Sequence, residues 1–413
     1  MRRAMTAAVE PVANAWSDDI TVRASSFGHL LSVDVKVHAP NDVAVQAILY
    51  RPNWHREGMT SREDGAAFFR FLVPAIALRP AFDVTVMVNV GASEWVDAAV
   101  VRGTHDLTFE AAARERSPLL LSGVARGGTT MSMRMLAEHP EIACVTEYPY
   151  ESRHAQYLVR HMIVGVSPSD RQRSMRPQEV NSPSVTSGSN PFFSPGMENS
   201  EWLSTSYQEF AATHVKELIG GFYDEVASAH GKPQSRFFAE KFPGVEQGTA
   251  LRNLFPGTRE VFLIRDLRDV VCSATSMNER RGGEAFGAAV ASSPTEHLRN
   301  LTKGTMGRWQ KYRADWPESD VVLLRYEDLV LAPHATIGRA CRALGLDSSD
   351  ATVGAMVAGA LGDTGLQDRH VTSSDVASSV GRWRTDLDPE AAAAAPEILA
   401  EFDESFGYPL ERR

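Results

Sequence analysis

Residues 119–136, LLLSGVARGGTTMSMRML, decide how the rest of this chain is read. The apolar run Leu119–Leu121 has the length and composition of a buried strand. The chain then passes through Gly123, Val124, Ala125, Arg126, Gly127 and Gly128 to Thr129 and Thr130, after which Met131, Met135 and Leu136 recur at helical spacing. A strand, a glycine-bearing loop and a helix N-terminus make a phosphate-binding arrangement. Glycines let the backbone come close to an anion, and the N–H groups of the first helical turn point at it. Gly123 and Gly128 have P-loop spacing, but Thr129 stands where a P-loop carries its lysine. The cation sits inside the loop instead, as Arg126.

Composition sets the outer limits. The chain has 413 residues, 43% hydrophobic and 23% charged, which fits a globular protein with room for two domains. Its formal net charge of −10 argues against general nucleic-acid binding, so an anionic ligand has to be held by a local basic cluster. Cys144, Cys272 and Cys341 lie far apart and form no CxxC pattern. They read as reduced thiols of a cytoplasmic protein rather than a disulfide framework or a zinc site. The start, MRRAMTAAVEPVANAW, lacks the apolar centre of a signal peptide because Glu10 and Pro11 interrupt it. No apolar run approaches the roughly 20 residues of a membrane span.

Along the chain the hydrophobic period changes. Between about Ile20 and Thr104 it is two: 31–37, 43–49, 68–73, 84–90 and 95–100 read as strands separated by turn residues such as Pro40-Asn41-Asp42. Short strands without intervening helices predict an antiparallel β-sandwich. Trp54, His55 and the charged residues 62–64 are expected in a loop. From Pro118 onward strands alternate with helices: 119–121, 144–146, 236–242, 259–265 and 321–325 as strands, with helices near 207–230, 295–316 and 334–344. That alternation predicts a parallel sheet with helices on both faces and ligands at the carboxyl ends of its strands. The expected layout is a flexible N-terminus (1–18), a β-sandwich accessory domain (19–105), a linker (106–117) and an α/β domain (118–413). Residues 166–205, rich in Ser, Pro, Asn and Gly, are expected to be a lid or a disordered insertion, with Phe192 and Phe193 favouring the lid.

A strand followed by Arg126-Gly127-Gly128-Thr129-Thr130 resembles the 5'-phosphosulfate loop of sulfotransferases that use 3'-phosphoadenosine 5'-phosphosulfate (PAPS). Four later stretches agree in family order. In IRDLRDVVCS, Arg265 ends a strand and Ser273 follows eight residues on, the spacing at which the family binds the 3'-phosphate of PAPS; Leu267 stands where many relatives carry Pro. Lys241 in Glu240-Lys241-Phe242-Pro243 resembles the family lysine near the bridging oxygen, with Phe242 where Thr is more usual. Arg325-Tyr326-Glu327-Asp328-Leu329 resembles a strand-end segment whose Tyr326 is assigned to the nucleotide site and whose acidic pair braces the fold. Val380-Gly381-Arg382-Trp383-Arg384 resembles a late basic segment that closes over the nucleotide. The resemblance covers about Pro118 to Tyr408 and implies a PAPS-binding, P-loop-like sulfotransferase domain behind the sandwich.

Transfer at sulfur requires a base for the acceptor proton and positive charge on the departing phosphate. Arg126 and Lys241 suit the second task. Glu147 is the expected base, placed after the strand that follows the phosphate-loop helix, where some sulfotransferases carry a catalytic Glu. His154 and His161 are the alternatives, because other members use His, and Glu240 is the rival carboxylate. As Glu240 and Lys241 are neighbours on a strand, their side chains face opposite sides. No Asp/Glu/His group has ligand spacing, so no metal is expected. The acceptor is a hydroxyl on a small molecule, natural product or glycan, with Tyr148, Tyr150, Phe192, Phe193 and Phe242 as pocket candidates. Two competing readings stand beside this one. An ATP-dependent kinase is opposed by Thr129 and by the lack of a strand-end Asp beyond Asp266. A non-catalytic nucleotide- or carbohydrate-binding protein, with the sandwich as its working part, is opposed by Arg126, Lys241, Arg265 and Ser273 together.

Overall fold

The computed structural model describes residues 5–14, 16–51, 54–57, 59–63, 65–91, 94–109, 115–166, 199–241, 245–281, 291–362 and 376–408. Phe192, Phe193, Phe242 and nearly all of the expected lid fall outside these. Two compact units are present, Met1–Ala113 with His154–Gly221 and Gly244–Gly257, and Arg114–Arg153 with Phe222–Pro243 and Thr258–Arg413.

The first unit contains two antiparallel sheets. One has the order β1 (Met5–Pro11), β9 (Val96–His105), β8 (Ala81–Val90), β4 (Val45–Arg51), β5 (Trp54–Glu57). The other runs β2 (Ile20–Phe27), β3 (Leu30–His38), β7 (Ala66–Pro74), β6 (Met59–Glu63). Alternate residues are buried, as a two-layer sandwich demands: Leu31, Val33, Val35 and Val37 on β3, Val84, Val86 and Val88 on β8. Two expectations are corrected here. Residues 5–11 are not a loose end, because Met5 to Pro11 pair in register with His105 to Ala99. Trp54 and His55 lie on a strand, not in a loop, with His55 opposite Tyr50. Period-two reasoning passed over both stretches because their polar and small residues give no apolar alternation.

Helices α2 (His154–Val166), α3 (Ser200–Ser204) and α5 (Val245–Leu254) belong to this unit, and α4 (Ser206–Ala229) is divided at Gly221. Asn253 on α5 donates its amide to the carbonyls of Ile76 and Leu78 at 3.0 and 2.7 Å. His29, 3% exposed, is 2.9 Å from the Glu209 carboxylate.

The second unit is built on an all-parallel sheet, β11 (Ile142–Ala143), β12 (Phe237–Lys241), β10 (Ser117–Gly123), β13 (Arg259–Ile264), β14 (Val321–Arg325). Its helices are α1 (Thr129–Ala137), α6 (Leu267–Arg281), α7 (Pro294–Asp315), α8 (Tyr326–Leu331), α9 (Pro333–Ala343), α10 (Asp350–Leu361), α11 (Trp383–Asp386), α12 (Pro389–Ile398) and α13 (Ala400–Phe406). The central strands β10, β12 and β13 are buried through almost every residue, which is why they read as unbroken apolar runs. One strand is shifted from its expected place: β11 is Ile142–Ala143, so Cys144 to Thr146 and Glu147 follow it as loop. Among the described residues no helix is long and apolar enough to cross a membrane.

Candidate active site

The phosphate loop leaves β10 at the centre of the parallel sheet and enters α1 at Thr129. Gly128 has φ 97°, and a Cβ there would stand 2.4 Å from the Tyr326 ring, so both backbone and packing require glycine. Arg126 is left-handed as well, at φ 66°, without being glycine. That conformation accompanies an Arg126 side chain whose Nε donates to Ser273 Oγ at 3.1 Å, across to α6. The Arg265 guanidinium donates to the carbonyl of Arg126 at 3.0 Å and to the carbonyl of Ser379 at 2.7 Å. It lies over the Tyr326 ring at 4.3 Å. Three expected ligands from three segments are thus joined at the carboxyl ends of β10 and β13, with Tyr326 beneath them.

Arg265 is 4% exposed, yet its Nε has no hydrogen-bond partner among the described residues. The buried hydroxyl of Thr305 is likewise unpartnered. Both line a cleft with Gly123, Val124 and Arg308, whose guanidinium comes within 3.5 Å of the carbonyl of Gly123. Unsatisfied buried donors are costly, and an anion is the group that satisfies an arginine best. Thr305 and Arg308 were missed from sequence. Their spacing of three on α7 puts them on one helix face, but nothing in the chain marks that face as the one turned to the loop.

Lys241 ends β12 with 6% exposure and spends its ammonium on three acceptors: Thr130 Oγ1 at 2.9 Å, the carbonyl of Pro149 at 2.6 Å and Glu151 at 3.2 Å. Burial holds its pKa below the usual lysine range, while the Glu151 carboxylate pulls it back up. Neighbouring Glu240 faces the other way, accepting from Ser152 and, at 3.3 Å, from Tyr223 OH. At 1% exposure, Glu240 braces the 149–153 loop rather than meeting an acceptor.

Glu147 is exposed in the turn after β11, where its carbonyl accepts from Tyr150 N at 2.6 Å. Among the described residues, Glu151 and not Glu147 is the carboxylate bonded to Lys241. His154 and His161 are on α2, in the other unit. Burial lowers the pKa of His154, and His161 is exposed with its ring 4.5 Å from that of Tyr157.

The late basic segment is tied down by both its backbone and its side chains. Tyr326 OH and Ser379 Oγ are 2.8 Å apart. Asp269 accepts from Gly381 N at 2.7 Å and from Trp383 N at 2.9 Å. Asp266 caps α6, accepting from Arg268 N at 3.0 Å, whereas Asp269, equally plausible as a cap, reaches across to this segment. Burial pushes Asp269 up to about 6, opposed by those two N–H groups. Arg382 donates to Ser276 and Asp386, at 3.0 and 2.9 Å. Trp383 packs against the guanidinium groups of Arg268 and Arg384, at 4.0 and 4.8 Å. Glu327 braces the fold as expected, accepting from Asp266 N and Tyr408 OH at 2.8 and 2.7 Å. No group of three His, Cys, Asp or Glu among the described residues is placed to hold a metal ion.

Comparison with known proteins bears on the same region. The protein-tyrosine sulfotransferase of Drosophila melanogaster is 23% identical over 288 residues, 68% of this chain and 49% of that protein. The chain therefore spans about half the length of the curated relative it matches. Among solved structures, a sulfotransferase domain from the curacin biosynthetic pathway is 14% identical and has a TM-score of 0.41, covering 70% of this chain and 99% of that one. Mouse sulfotransferase SULT7A1, solved in complex with PAP, is 12% identical with a TM-score of 0.37, covering 71% of this chain and 86% of that one. Residues 118–350, which carry the phosphate loop, Lys241, Arg265 and Ser273, match the sulfotransferase family as a whole. With more than half of its length accounted for in this way, the chain belongs to the sulfotransferase family.

Proposed function

We propose that the chain transfers a sulfonate group from PAPS to an acceptor hydroxyl. The observation that carries this reading is the union of Arg126, Ser273 and Arg265 through hydrogen bonds of 3.1 and 3.0 Å beside the N-terminus of α1. The orphaned Nε of buried Arg265 and the close approach allowed by Gly128 fit a phosphorylated nucleotide. When bound, PAPS supplies an activated sulfonate attached to a good leaving phosphate.

The chain's own residues do the rest. Gly127, Gly128, Thr129 and Thr130 hold the 5' end with backbone N–H groups and hydroxyls, at the positive end of α1. Arg126 neutralises charge there, and Arg265 and Ser273 hold the 3'-phosphate. Tyr326 supports Arg265 from beneath, and Arg382, Trp383 and Arg384 form the wall that encloses the nucleotide. Lys241, hydrogen-bonded to Thr130, places an ammonium where negative charge develops on the leaving oxygen. Glu147, exposed and beside this loop in sequence, takes the acceptor proton. No divalent metal has a part.

The acceptor is a hydroxyl on a small molecule, natural product or glycan, and the activity named for the fly relative adds a tyrosine phenol to those worth testing. The two antiparallel sheets, residues 5–105, serve as an accessory region to the parallel-sheet unit that carries the proposed catalytic groups. A cytoplasmic setting belongs to the same proposal, since three cysteines that form no disulfide suit a reducing compartment.

Calorimetric titration with 3'-phosphoadenosine 5'-phosphate, with and without magnesium and beside ATP, tests the donor. Expected is magnesium-independent binding that Arg265→Ala weakens at least about tenfold, the loss of a charged hydrogen-bonding group. Preference for ATP with magnesium would replace this reading with the kinase.

A further inference from the structure

The segment 379–383 carries groups assigned to the nucleotide, and its backbone as well as its side chains hold it in place. Ser379 offers its carbonyl to Arg265, and Gly381 and Trp383 both offer their N–H groups to the single carboxylate of Asp269. Asp269 is 0% exposed and comes from the first turn of α6, one turn before Ser273. Gly381, at φ 73°, occupies the left-handed region, and a Cβ on it would stand 2.4 Å from the Arg384 guanidinium. The bend that turns Arg382 and Trp383 back onto α6 therefore depends on glycine at its corner and on an acceptor at its mouth.

We propose that Asp269 is a positioning residue for the nucleotide site, a clamp on the N–H groups of Gly381 and Trp383 that prefolds the basic segment before the nucleotide arrives. This rests on the PAPS reading above. The physical argument is pre-organisation: a loop already held in its bound conformation loses less entropy on binding, and that saving appears as affinity. One carboxylate accepting two N–H bonds suits the task, since bonds to an ionised acceptor are the stronger kind. The groups around it act in both directions. Burial first and then Asp266 disfavour its charge, and the two N–H groups and Arg265 favour it. Ser273 on the same helix binds Arg126, so α6 holds the phosphate loop with one residue and the closing segment with another.

Two pairs of variants test this on the full chain. In Asp269→Asn an NH2 group faces one of the two N–H donors, so one bond is lost and a donor–donor clash replaces it. Trp383→Pro, compared with Trp383→Ala, removes one of the two N–H donors and, because Arg382 before it is in the α region, also strains the bend that the clamp holds. Expected for Asp269→Asn is a rise of about tenfold or more in Kd for 3'-phosphoadenosine 5'-phosphate. The KM for donor should rise with it while kcat and the KM for acceptor stay within about twofold, and nucleotide-free protein should become cleavable by trypsin after Arg382 and Arg384. Trp383→Pro should bind more weakly than Trp383→Ala. If wild type binds the nucleotide and Asp269→Asn binds equally well without new cleavage, the clamp is wrong and the PAPS reading stands. If wild type does not bind, both fall. A kcat loss at unchanged donor affinity would also overturn the clamp.

Discussion

The two ends of Lys241's surroundings are built in different ways. On the phosphate side, Arg126, Ser273, Arg265, Tyr326 and Thr130 come from successive βα turns of one parallel sheet, and each touches another of the set or Lys241. On the acceptor side, the loop 147–153 has no regular structure, with Tyr150 at φ 63° and Arg153 at φ 50°. It is held by two adjacent strand residues facing opposite ways: Glu240 takes Ser152, and Lys241 takes the Pro149 carbonyl and Glu151. On the proposed function, the sheet holds the donor groups and a strap of hydrogen bonds holds the loop assigned to the acceptor, so acceptor specificity should change with the strap while the donor groups stay as they are.

Lys241 belongs to both halves, so its loss gives the largest effect. Lys241→Ala should lower kcat by about 10²- to 10³-fold, the usual cost of removing one group that stabilises developing negative charge. Steady-state rates with saturating donor measure it. A variant with full activity would separate the lysine from the chemistry and leave it as a buried strut for Thr130 and Pro149.

The contrast also explains what could be read in the chain. Arg126, Arg265 and Ser273 were singled out through the resemblance to sulfotransferases, and their meeting follows from βα-turn geometry: strand, turn and first helical turn lie within a few residues, and the parallel sheet brings such turns to one edge. Glu151 was not legible. Its meeting with Lys241 depends on left-handed turns at Tyr150 and Arg153, side chains that give no such signal in sequence. The displaced strand β11 has the same origin, because Cys144-Val145-Thr146 is as apolar and β-branched as Ile142–Ala143, and only pairing with Phe237–Phe238 selects between them. Asp269 was not legible as a clamp, because an acidic residue in the first turn of a helix ordinarily caps that helix.

Two carboxylates in the acceptor loop sharpen the comparison. Glu147→Gln should lower kcat about a hundredfold with nucleotide binding intact, as befits loss of a general base. Near-wild-type turnover would remove it from the mechanism and return attention to His154 and His161. Glu151→Gln should cost only a few-fold at neutral pH, an effect on the scale of a partly exposed ion pair. Its signature is in the pH profile. Burial lowers the Lys241 pKa and Glu151 raises it, so without that carboxylate the ammonium deprotonates at lower pH. The basic limb of kcat should therefore move down in pH. Arg153, the other charge acting on Lys241, also disfavours the ammonium, so Arg153→Ala should move the limb in the opposite direction.

The smallest effect lies on the rigid side and is a matter of linkage. Burial pushes the Asp269 carboxyl up to about 6 in the folded protein, above the ordinary aspartate range. A carboxyl with a raised folded pKa binds its proton more tightly in the native state, so its contribution favours folding increasingly as pH falls from about 6 toward 4. Above pH 6 the ionised group carries its desolvation cost undiminished. Asn at this position has no proton to bind, so the comparison of wild type with Asp269→Asn isolates the effect of that protonation. Between pH 7 and pH 5, wild type should gain about 1 kcal/mol relative to the variant. Denaturant unfolding at the two pH values reads this directly. A gap that is constant with pH would mean that Asp269 keeps an ordinary carboxylate pKa, and that the two N–H groups of 381 and 383 offset its burial in full.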